Sequence, residues 1–264
     1  MDDLQPLLEL AVDVAHRAGA LLLDGLDSVR TTVETKSTRT DMVTEMDRAS
    51  ERLVVTALRE ARPDDALLGE EGTSSGGTSG VRWVVDPLDG TTNYLYGFPA
   101  WAVSVAAEVE GASAVGVVHD PVHGETFTAV RGQGAWCNGE RLAVAGAPDL
   151  ATALVGTGFS YDAVRRGEQA ALLARVLPVV RDIRRAGAAA LDLCWVGLGR
   201  LDAFFERGLA PWDSAAGSLV AAEAGALVEQ LPDGTWVAAA PQLFEPLRAL
   251  LAAADGLRGP GTGE

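Results

Sequence analysis

The chain has 264 residues, of which 48% are hydrophobic and 22% charged, and its formal net charge is −16. This length and apolar content suit one large domain or two closely packed halves of a globular protein. A strongly acidic surface repels polyanions, so the charge excludes nucleic acid and anionic membranes as expected partners. It also repels phosphate compounds, unless bound cations reverse the local field.

The N-terminal segment favours an intracellular protein. Its residues, MDDLQPLLEL, lack the basic start of a signal peptide, and no uninterrupted apolar run is long enough to span a bilayer. The two cysteines, Cys137 and Cys194, are not in CxxC spacing, so no disulfide framework is indicated. We therefore expect a cytoplasmic protein with two reduced thiols.

The first third of the chain predicts two helices around a polar segment. Apolar residues at helical spacing predict a helix over residues 4–26, and a second amphipathic segment begins at Asp47 and stops before Pro63. Residues 28–45, rich in Thr and Ser, are predicted to form a loop or hairpin. Residues 72–80, GTSSGGTSG, are the one low-complexity segment and predict a surface loop.

Strand patterns dominate the middle of the chain, and an alternation of strands and helices follows. A strand that starts at Val81 ends in Asp86, and residues 101–145 contain four further strand patterns joined as hairpins. After Pro148 the predicted strands are 153–156, 181–184, 201–206 and 226–230, and the predicted helices are 165–177, 188–198, 213–224 and 243–253. The first half is thus predicted to place helices on a mostly antiparallel sheet, and the second to be an alternating α/β unit.

The segment WVVDPLDGTTNYLYGFP at residues 83–99 is the most informative in the sequence. A buried strand delivers Asp86 and Asp89 into a turn made by Pro87 and Gly90, and Thr91 follows. Two carboxylates that close repel each other, and burial increases the cost. A bound divalent cation removes this conflict, and oxygen-only ligands favour Mg²⁺, Mn²⁺ or Ca²⁺ over zinc.

Three more acidic clusters accompany this motif: DMVTEMD, which ends at Asp47; GEEG, which contains Glu70 and Glu71; and WDSAAG, which contains Asp213. Each has a plain structural alternative. Asp47 and Asp213 could simply cap helices, and the two glutamates could be ordinary surface acids. The pair Asp86 and Asp89 lacks such an alternative, because capping does not require acids at both ends of Pro-Leu.

Taken together and in this order, the four clusters resemble the inositol monophosphatase family of metal-dependent, lithium-sensitive phosphatases. The likeness also includes GAWCNGERLAV and IRRAGAAALDLCWVGLGRLDAFFERG, and it spans roughly residues 36–228. It implies an α+β fold, the layered αβαβα sandwich of the sugar phosphatases. We expect two halves, residues 1–147 with the metal-binding motifs and residues 148–264 with Asp213 and substrate contacts, in one compact unit.

The resemblance implies a site for two to three Mg²⁺ ions, with Mn²⁺ as a possible substitute and Li⁺ as an inhibitor. Its implied metal ligands are Glu70, Asp86, the carbonyl of Leu88, Asp89 and Asp213. Its implied catalytic residues are Glu70, Thr91 and Asp47, which would position and deprotonate the attacking water. Its implied substrate contacts are Lys36, Leu88, Asp89, Gly90, Thr91, Gly187, Ala188, Ala189, Glu206 and Asp213.

The implied reaction is hydrolysis of a phosphate monoester by in-line attack of metal-activated water, without a covalent intermediate. The main expected substrate is inositol 1-phosphate, because Glu206 would repel a second phosphate and favour hydroxyl groups. Histidinol phosphate, fructose 1,6-bisphosphate and 3′-phosphoadenosine 5′-phosphate are the alternatives within the fold. We expect a homodimer whose partner is a small phosphate ester, and neither nucleic acid nor a membrane.

Two other classes compete with this interpretation. DPLDGTT also resembles the DxDGT signature of the haloacid dehalogenase phosphatases, but its spacing is one residue longer. That family needs a lysine downstream of the motif, whereas the single lysine here, Lys36, lies upstream. A non-catalytic, metal-binding regulatory protein is the remaining alternative, although the chain keeps Glu70, Asp89 and Thr91.

Overall fold

The computed structural model describes residues 4–31 and 39–255. Within these ranges the α-helices are α1 (Gln5–Thr31), α2 (Arg39–Ala61), α3 (Thr91–Tyr96), α4 (Ala163–Val176), α5 (Ala189–Leu198), α6 (Pro211–Glu223) and α7 (Pro241–Asp255). None of the helices in the described ranges combines the length and the apolar character needed to cross a membrane.

Two sheets form the frame of the molecule. The strands are β1 (Ala66–Gly69), β2 (Ser74–Ser75), β3 (Val81–Asp89), β4 (Ala102–Val109), β5 (Ala112–Asp120), β6 (Glu125–Val130), β7 (Gly134–Cys137), β8 (Glu140–Arg141), β9 (Leu154–Thr157), β10 (Asp182–Arg184), β11 (Ala203–Arg207), β12 (Leu227–Gln230) and β13 (Thr235–Ala239). The first sheet has the order β2-β1-β3-β4-β5-β6-β7-β8 and is antiparallel except for the pair β1 and β3. The second has the order β10-β9-β11-β13-β12 and is mixed.

The helices and sheets stack in five layers. Helices α1 and α2 cover one face of the first sheet, and α5 and α6 cover the other. Helices α5 and α6 also pack against the second sheet, whose outer face is covered by α4 and α7. The expected α+β fold, a layered αβαβα sandwich, is therefore confirmed.

Helices α5 and α6 sit between two apolar surfaces, and their composition matches that position. Buried residues occupy all sides of α5, including Leu191, Leu193 and Cys194. Small residues allow α6 to approach the first sheet closely, since an added Cβ at Gly116 would lie 2.8 Å from the carbonyl oxygen of Ala216. A helix that is apolar all round is typical of a fully buried layer.

The polar segment at 28–45 was predicted wrongly as a loop or hairpin. Helix α1 continues to Thr31, and α2 begins at Arg39; residues 32–38 lie outside the described residues. Asp47 is therefore inside α2, and the alternative that it caps a helix N-terminus is wrong. Helical hydrogen bonding has overridden the modest preference of Thr and Ser for turns.

The remaining corrections concern short elements. Strand β3 continues past Asp86 to Asp89, where a tight turn was predicted, and α3 follows directly. The predictions also omitted β1, β7 and β13, and β2 lies within the predicted surface loop at 72–80. The last of the four strand patterns in residues 101–145, RLAVA, is wrong beyond Arg141, where β8 ends. The other predicted strands and helices of the second half are present, with ends that differ by one or two residues.

Candidate active site

The last residues of β3 place two acids side by side at one end of the first sheet. Asp86 is paired with Ser104 and Asp89 with Ala102, so β3 holds one residue more than β4 between these pairs. Such a bulge re-aims side chains at the end of a strand. The backbone N–H of Leu88 donates to Asp86 Oδ1 at 3.0 Å, which fixes that carboxylate.

Gly90 makes the turn from β3 into α3. Its φ of 93° is left-handed, and an added Cβ would lie 2.8 Å from the carbonyl oxygen of Ala100, so only glycine fits here. The next residue, Thr91, begins α3, and its hydroxyl donates to the carbonyl oxygen of Leu88 at 3.1 Å. The same hydroxyl lies 3.5 Å from Asp47 Oδ2.

The loop that carries Glu70 is anchored by a buried acid on α2, Glu51. The carboxylate of Glu51 accepts from the backbone N–H groups of Glu71 at 2.8 Å and Thr73 at 3.2 Å, and from the Thr73 hydroxyl at 2.6 Å. The backbone N–H of Glu70 donates to the carbonyl oxygen of Val85 at 3.2 Å. Glu70 is thereby held beside the end of β3.

Helices α5 and α6 contribute the third side of the site through their N-terminal turns. The backbone N–H of Ala190 donates to Asp89 Oδ2 at 2.7 Å. The Asp213 carboxylate accepts from the backbone N–H of Ala210 at 2.6 Å. Asp213 is the third residue of α6 and reaches back to its start, so it stabilises the helix end without being the N-cap residue.

These segments enclose a pocket of about 150 Å³. Ten of the residues proposed from the sequence line it: Glu70, Asp86, Leu88, Asp89, Gly90, Thr91, Gly187, Ala189, Glu206 and Asp213. Ala188 lies directly before α5 and is buried behind the pocket wall. Asp47 is buried behind Thr91, and Lys36 lies outside the described residues.

Five carboxylates line this pocket, and their surroundings oppose ionisation. Burial, and then the neighbouring acids Glu70, Asp89 and Asp213, raise the pKa of Asp86 well above its usual range. Burial and Asp213 likewise raise the pKa of Asp89, and burial raises the pKa of Asp213. The five groups therefore need protons or cations among them.

The pKa values of Glu206, which lines the pocket, and of Asp47, which lies behind it, are also raised. Burial, followed by repulsion from Asp213, raises the pKa of Glu206 to about 7, although Arg185 opposes the shift. Burial, Glu70 and Glu71 raise the pKa of Asp47 to about 8. Asp47 Oδ1 is also buried without a hydrogen-bond partner in the described structure.

The donor set suits a hard divalent cation. Carboxylate and carbonyl oxygens are the ligands that Mg²⁺ and Ca²⁺ prefer, and no Cys or His lines the pocket. Glu70 and Asp86 lie close enough to repel each other, which adds to burial in raising the pKa of Asp86. In the described ranges, no three His, Cys, Asp or Glu side chains are arranged closely enough to hold a metal ion without moving. The fit is thus one of chemistry and proximity.

The sequence reasoning missed several residues of the pocket wall: Gly158, Phe159, Tyr161, Arg185 and Leu209. The hydroxyl groups of Tyr161 and Thr92 are 3.0 Å apart, so the loop after β9 touches the first turn of α3. Arg185 lies two residues before Gly187, inside the matching segment IRRAGAAALDL, and could have been found there. The aromatic residues carry no spacing signal that would have revealed them.

The layered fold and the acid-lined pocket define a class of protein that brings carboxylates from both halves of the chain to one pocket. The family model described as "Inositol monophosphatase family" matches residues 3–257. The "Inositol-1-monophosphatase" of Mycobacterium leprae is 49% identical over 245 residues, which cover 85% of this chain and 83% of that protein.

Two further comparisons agree with this match. The "Nus factor SuhB" of Pasteurella multocida is 42% identical over 256 residues, covering 92% of this chain and 95% of that protein. The solved structure "Mycobacterium tuberculosis SuhB" superimposes with a TM-score of 0.86 at 42% identity, and covers 98% of this chain and 100% of that one. The chain belongs to the inositol monophosphatase family, as its motifs predicted.

Proposed function

We propose that this protein is a Mg²⁺-dependent phosphate monoester hydrolase whose main substrate is inositol 1-phosphate. The observation that carries the proposal is the convergence of Glu70, Asp86, Asp89, Glu206 and Asp213 on one pocket, where the pKa of each carboxyl group is raised. Relatives named inositol-1-monophosphatase support the same activity.

Two or three Mg²⁺ ions would be held by Glu70, Asp86, the Leu88 carbonyl, Asp89 and Asp213, and Mn²⁺ could replace them. When bound, these ions would supply charge neutralisation for the phosphoryl oxygens and a lower pKa for bound water. The backbone N–H of Ala190 keeps Asp89 aimed at the pocket, and the N–H of Ala210 does the same for Asp213. Lithium would inhibit by competing for one of these positions.

Thr91, Asp47 and Glu70 would move the proton of the attacking water. The Thr91 hydroxyl lies between the Leu88 carbonyl and Asp47, so it can accept a proton from water while it donates to Asp47. Glu70, which lines the same pocket, would orient the same water. Attack would be in line with the leaving oxygen and would form no covalent intermediate, because the carboxylates and the Thr91 hydroxyl that line the pocket would hold the ions and activate the water.

The substrate would be held at both of its ends. The backbone N–H groups of Gly90 and Thr91 would receive the phosphate, and the Asp89 and Asp213 side chains and the Leu88 carbonyl would lie beside it. The backbone at Gly187, Ala188 and Ala189 and the Glu206 carboxylate would contact the hydroxyl groups of the alcohol. Lys36 would approach the phosphate.

A substrate panel with Mg²⁺ tests the proposal. Inositol 1-phosphate should be hydrolysed with a higher kcat/KM than histidinol phosphate, fructose 1,6-bisphosphate or 3′-phosphoadenosine 5′-phosphate. A higher kcat/KM for one of these three would make that compound the main substrate and leave the class of reaction unchanged. A trapped phospho-enzyme would overturn the direct attack of water.

Asp89→Asn tests the role of the pocket acids. The amide oxygen still accepts from the Ala190 N–H, so the fold should persist, but the lost charge should lower kcat/KM more than about 100-fold. Asp24→Asn is the matched control, because Asp24 is exposed on α1. A folded Asp89→Asn enzyme with near-normal turnover would contradict the assignment.

The relatives named Nus factor SuhB favour a second candidate of another class, a function that does not depend on turnover. The net charge of −16 opposes direct binding to nucleic acid, so such a function would act through protein contacts. Binding of Mg²⁺ by a folded protein with no turnover on any member of the panel would support it. The family resemblance also predicts a homodimer, which analytical ultracentrifugation tests.

A further inference from the structure

A second cavity, of about 510 Å³, opens beside the candidate active site. The two cavities share five wall residues: Phe159, Tyr161, Glu206, Leu209 and Asp213. Pockets that bury a small organic ligand usually enclose roughly 300–1,000 Å³, so the 150 Å³ active site is too small to enclose a whole substrate. The alcohol end of a substrate therefore extends across the shared wall, past Glu206, into the second cavity.

The second cavity is built from the loop after β9 and the first turns of α4. Arg165 and Glu168 line it from α4, and the partly buried Gln169 joins them. Gln169 ties this wall together, because its Oε1 accepts from the Ser160 N–H at 2.7 Å and its Nε2 donates to the Arg207 carbonyl at 3.4 Å. The wall is therefore preorganised.

The lining suits a polyhydroxylated ring. Phe159 and Tyr161 offer aromatic faces, and Tyr161 is 76% exposed. Planar polar groups on Arg165, Glu168 and Gln169 can both donate to and accept from vicinal hydroxyl groups. An apolar face combined with a few convergent polar groups matches a sugar ring, which has C–H groups on its faces and hydroxyl groups at its edge.

The charges of the lining argue against a second phosphate. Four acids line the second cavity, Glu168, Glu206, Asp213 and Asp233, against the two arginines Arg165 and Arg207. Arg207 is ion-paired with Asp233, so its charge is already compensated. A neutral ring meets no net repulsion here, whereas a dianion does.

We propose that the second cavity is a subsite for a sugar ring attached to the polyol that carries the phosphate, so that glycosylated inositol phosphates are among the substrates. This inference rests on the proposed function, because it treats the smaller pocket as the site of phosphate hydrolysis. The alcohol carrying the phosphate would contact Glu206, and the attached ring would lie between Tyr161 and the first turns of α4.

Product inhibition tests the subsite. With Mg²⁺ and inositol 1-phosphate as substrate, galactinol, in which a galactose ring is attached to myo-inositol, should inhibit competitively at about tenfold lower concentration than myo-inositol. Saturation-transfer NMR of galactinol on the Mg²⁺-loaded protein should show contact at the galactose protons. Equal inhibition by the two compounds, or NMR contact confined to the inositol ring, would overturn the proposal.

Two variants locate the effect. Arg165→Ala should bring the ratio of the two inhibition constants close to one, since it removes a hydrogen-bonding group that lines only the second cavity. Arg181→Ala, an exposed arginine of the same half of the chain, is the matched control and should keep the ratio. An unchanged ratio in Arg165→Ala would place the sugar elsewhere and overturn the assignment.

The same experiments separate this inference from the proposed function. If inositol 1-phosphate is not hydrolysed, the proposed function fails, while the NMR measurement still reports on the cavity. If inositol 1-phosphate is hydrolysed and galactinol gains nothing over myo-inositol, the subsite fails alone. Tighter competition by adenosine than by galactinol would replace the sugar with a nucleoside and also overturn the proposal.

Discussion

Glu51 shows how much of the site depends on a residue that does not line the pocket. Its carboxylate makes three hydrogen bonds to Glu71 and Thr73, on either side of the turn that follows Glu70. The residue is 6% exposed, so its carboxylate depends on these donors in place of water. Glu51 is thus a positioning residue for Glu70.

Glu51→Ala should weaken Mg²⁺ binding more than it affects turnover at saturating Mg²⁺. Supporting residues of this kind typically contribute about 10–100-fold in metal affinity, so we expect the half-saturating Mg²⁺ concentration to rise at least about tenfold. The thermal shift produced by Mg²⁺ gives a readout that does not need activity. Glu60 is an exposed acid on the same helix, and Glu60→Ala should leave the half-saturating Mg²⁺ concentration and the thermal shift unchanged. An unaltered Mg²⁺ dependence in Glu51→Ala would show that the turn after Glu70 keeps its conformation without the Glu51 carboxylate.

At the level of residues, the sequence was sufficient to predict the acids but not the rest of the pocket wall. Asp86 and Asp89 stand out because paired acids at the end of a buried strand have few structural explanations, whereas Asp213 was found through the family resemblance of WDSAAG. Phe159 and Tyr161 have many explanations, and only the fold brings them to the site. Glu51 was missed because a glutamate on an amphipathic helix is normally a solvated residue.

The packing of α6 on the first sheet depends on the absence of a side chain at Gly116. Gly116→Ala should lower the free energy of unfolding by about 1–3 kcal/mol, because the new methyl group would press on the α6 backbone at Ala216. Denaturant unfolding measures the change.

Gly167 is the natural comparison, since it lies in α4 with open space around it. Gly167→Ala should raise the free energy of unfolding by about 0.5–1 kcal/mol through helix propensity. Equal changes in the free energy of unfolding at the two positions would show that Gly116 is not needed for the close approach of α6 to the first sheet.

The contact between α1 and the first sheet makes stability depend on pH. Burial, together with the nearby His16, lowers the pKa of His119 to about 4. Both rings contact the Thr126 hydroxyl, at 3.0 Å from His119 and 2.8 Å from His16. Between about pH 4 and 6.5 the unfolded chain binds a proton at His119 that the folded chain does not, so stability falls as the pH falls through this window.

His119→Gln should remove this part of the pH dependence. The contribution is about 2 kcal/mol, after a discount for the partial exposure of the ring. The measurement is the free energy of unfolding of both proteins from pH 4 to pH 7, compared by slope and not by absolute value. Parallel curves would mean that His119 titrates normally in the folded protein.

The elements that the sequence missed are the ones that tertiary contacts define. Strand β13, TWVAA, has only five residues between a turn and α7, so its pattern is short and weak. Helix α3 has six residues and follows Asp89 without a polar cap, which leaves Gly90 as the only local signal. A long periodic segment such as α1 was predicted because its apolar pattern extends over several turns.

The division of the whole molecule at residue 147 stays a prediction. Helices α5 and α6 come from the second half of the chain, yet they form the layer that covers the first sheet. A fragment with residues 1–147 alone would expose Val84, Ala106 and Phe127 to water. We therefore regard the two halves as mutually dependent.

Thermal unfolding should accordingly show one cooperative transition. Differential scanning calorimetry should give a calorimetric enthalpy equal to the van't Hoff enthalpy within about 10%, because neither half can unfold while the other keeps its core. Two resolved transitions would show that the halves are independent domains. The measurement applies to the full chain without added Mg²⁺, which removes binding as a second source of stability.

Asp86, Asp89 and Asp213 share a property with an evolutionary consequence. Each accepts a hydrogen bond from a backbone N–H, from Leu88, Ala190 and Ala210 respectively. Selection for folding alone would retain a short side chain with an acceptor oxygen at each position, and asparagine meets that requirement without the charge. A lineage that lost hydrolysis would thus change from aspartate to asparagine at these three sites while its fold persisted. Asparagine at the three sites would then identify the members of the family that are not enzymes.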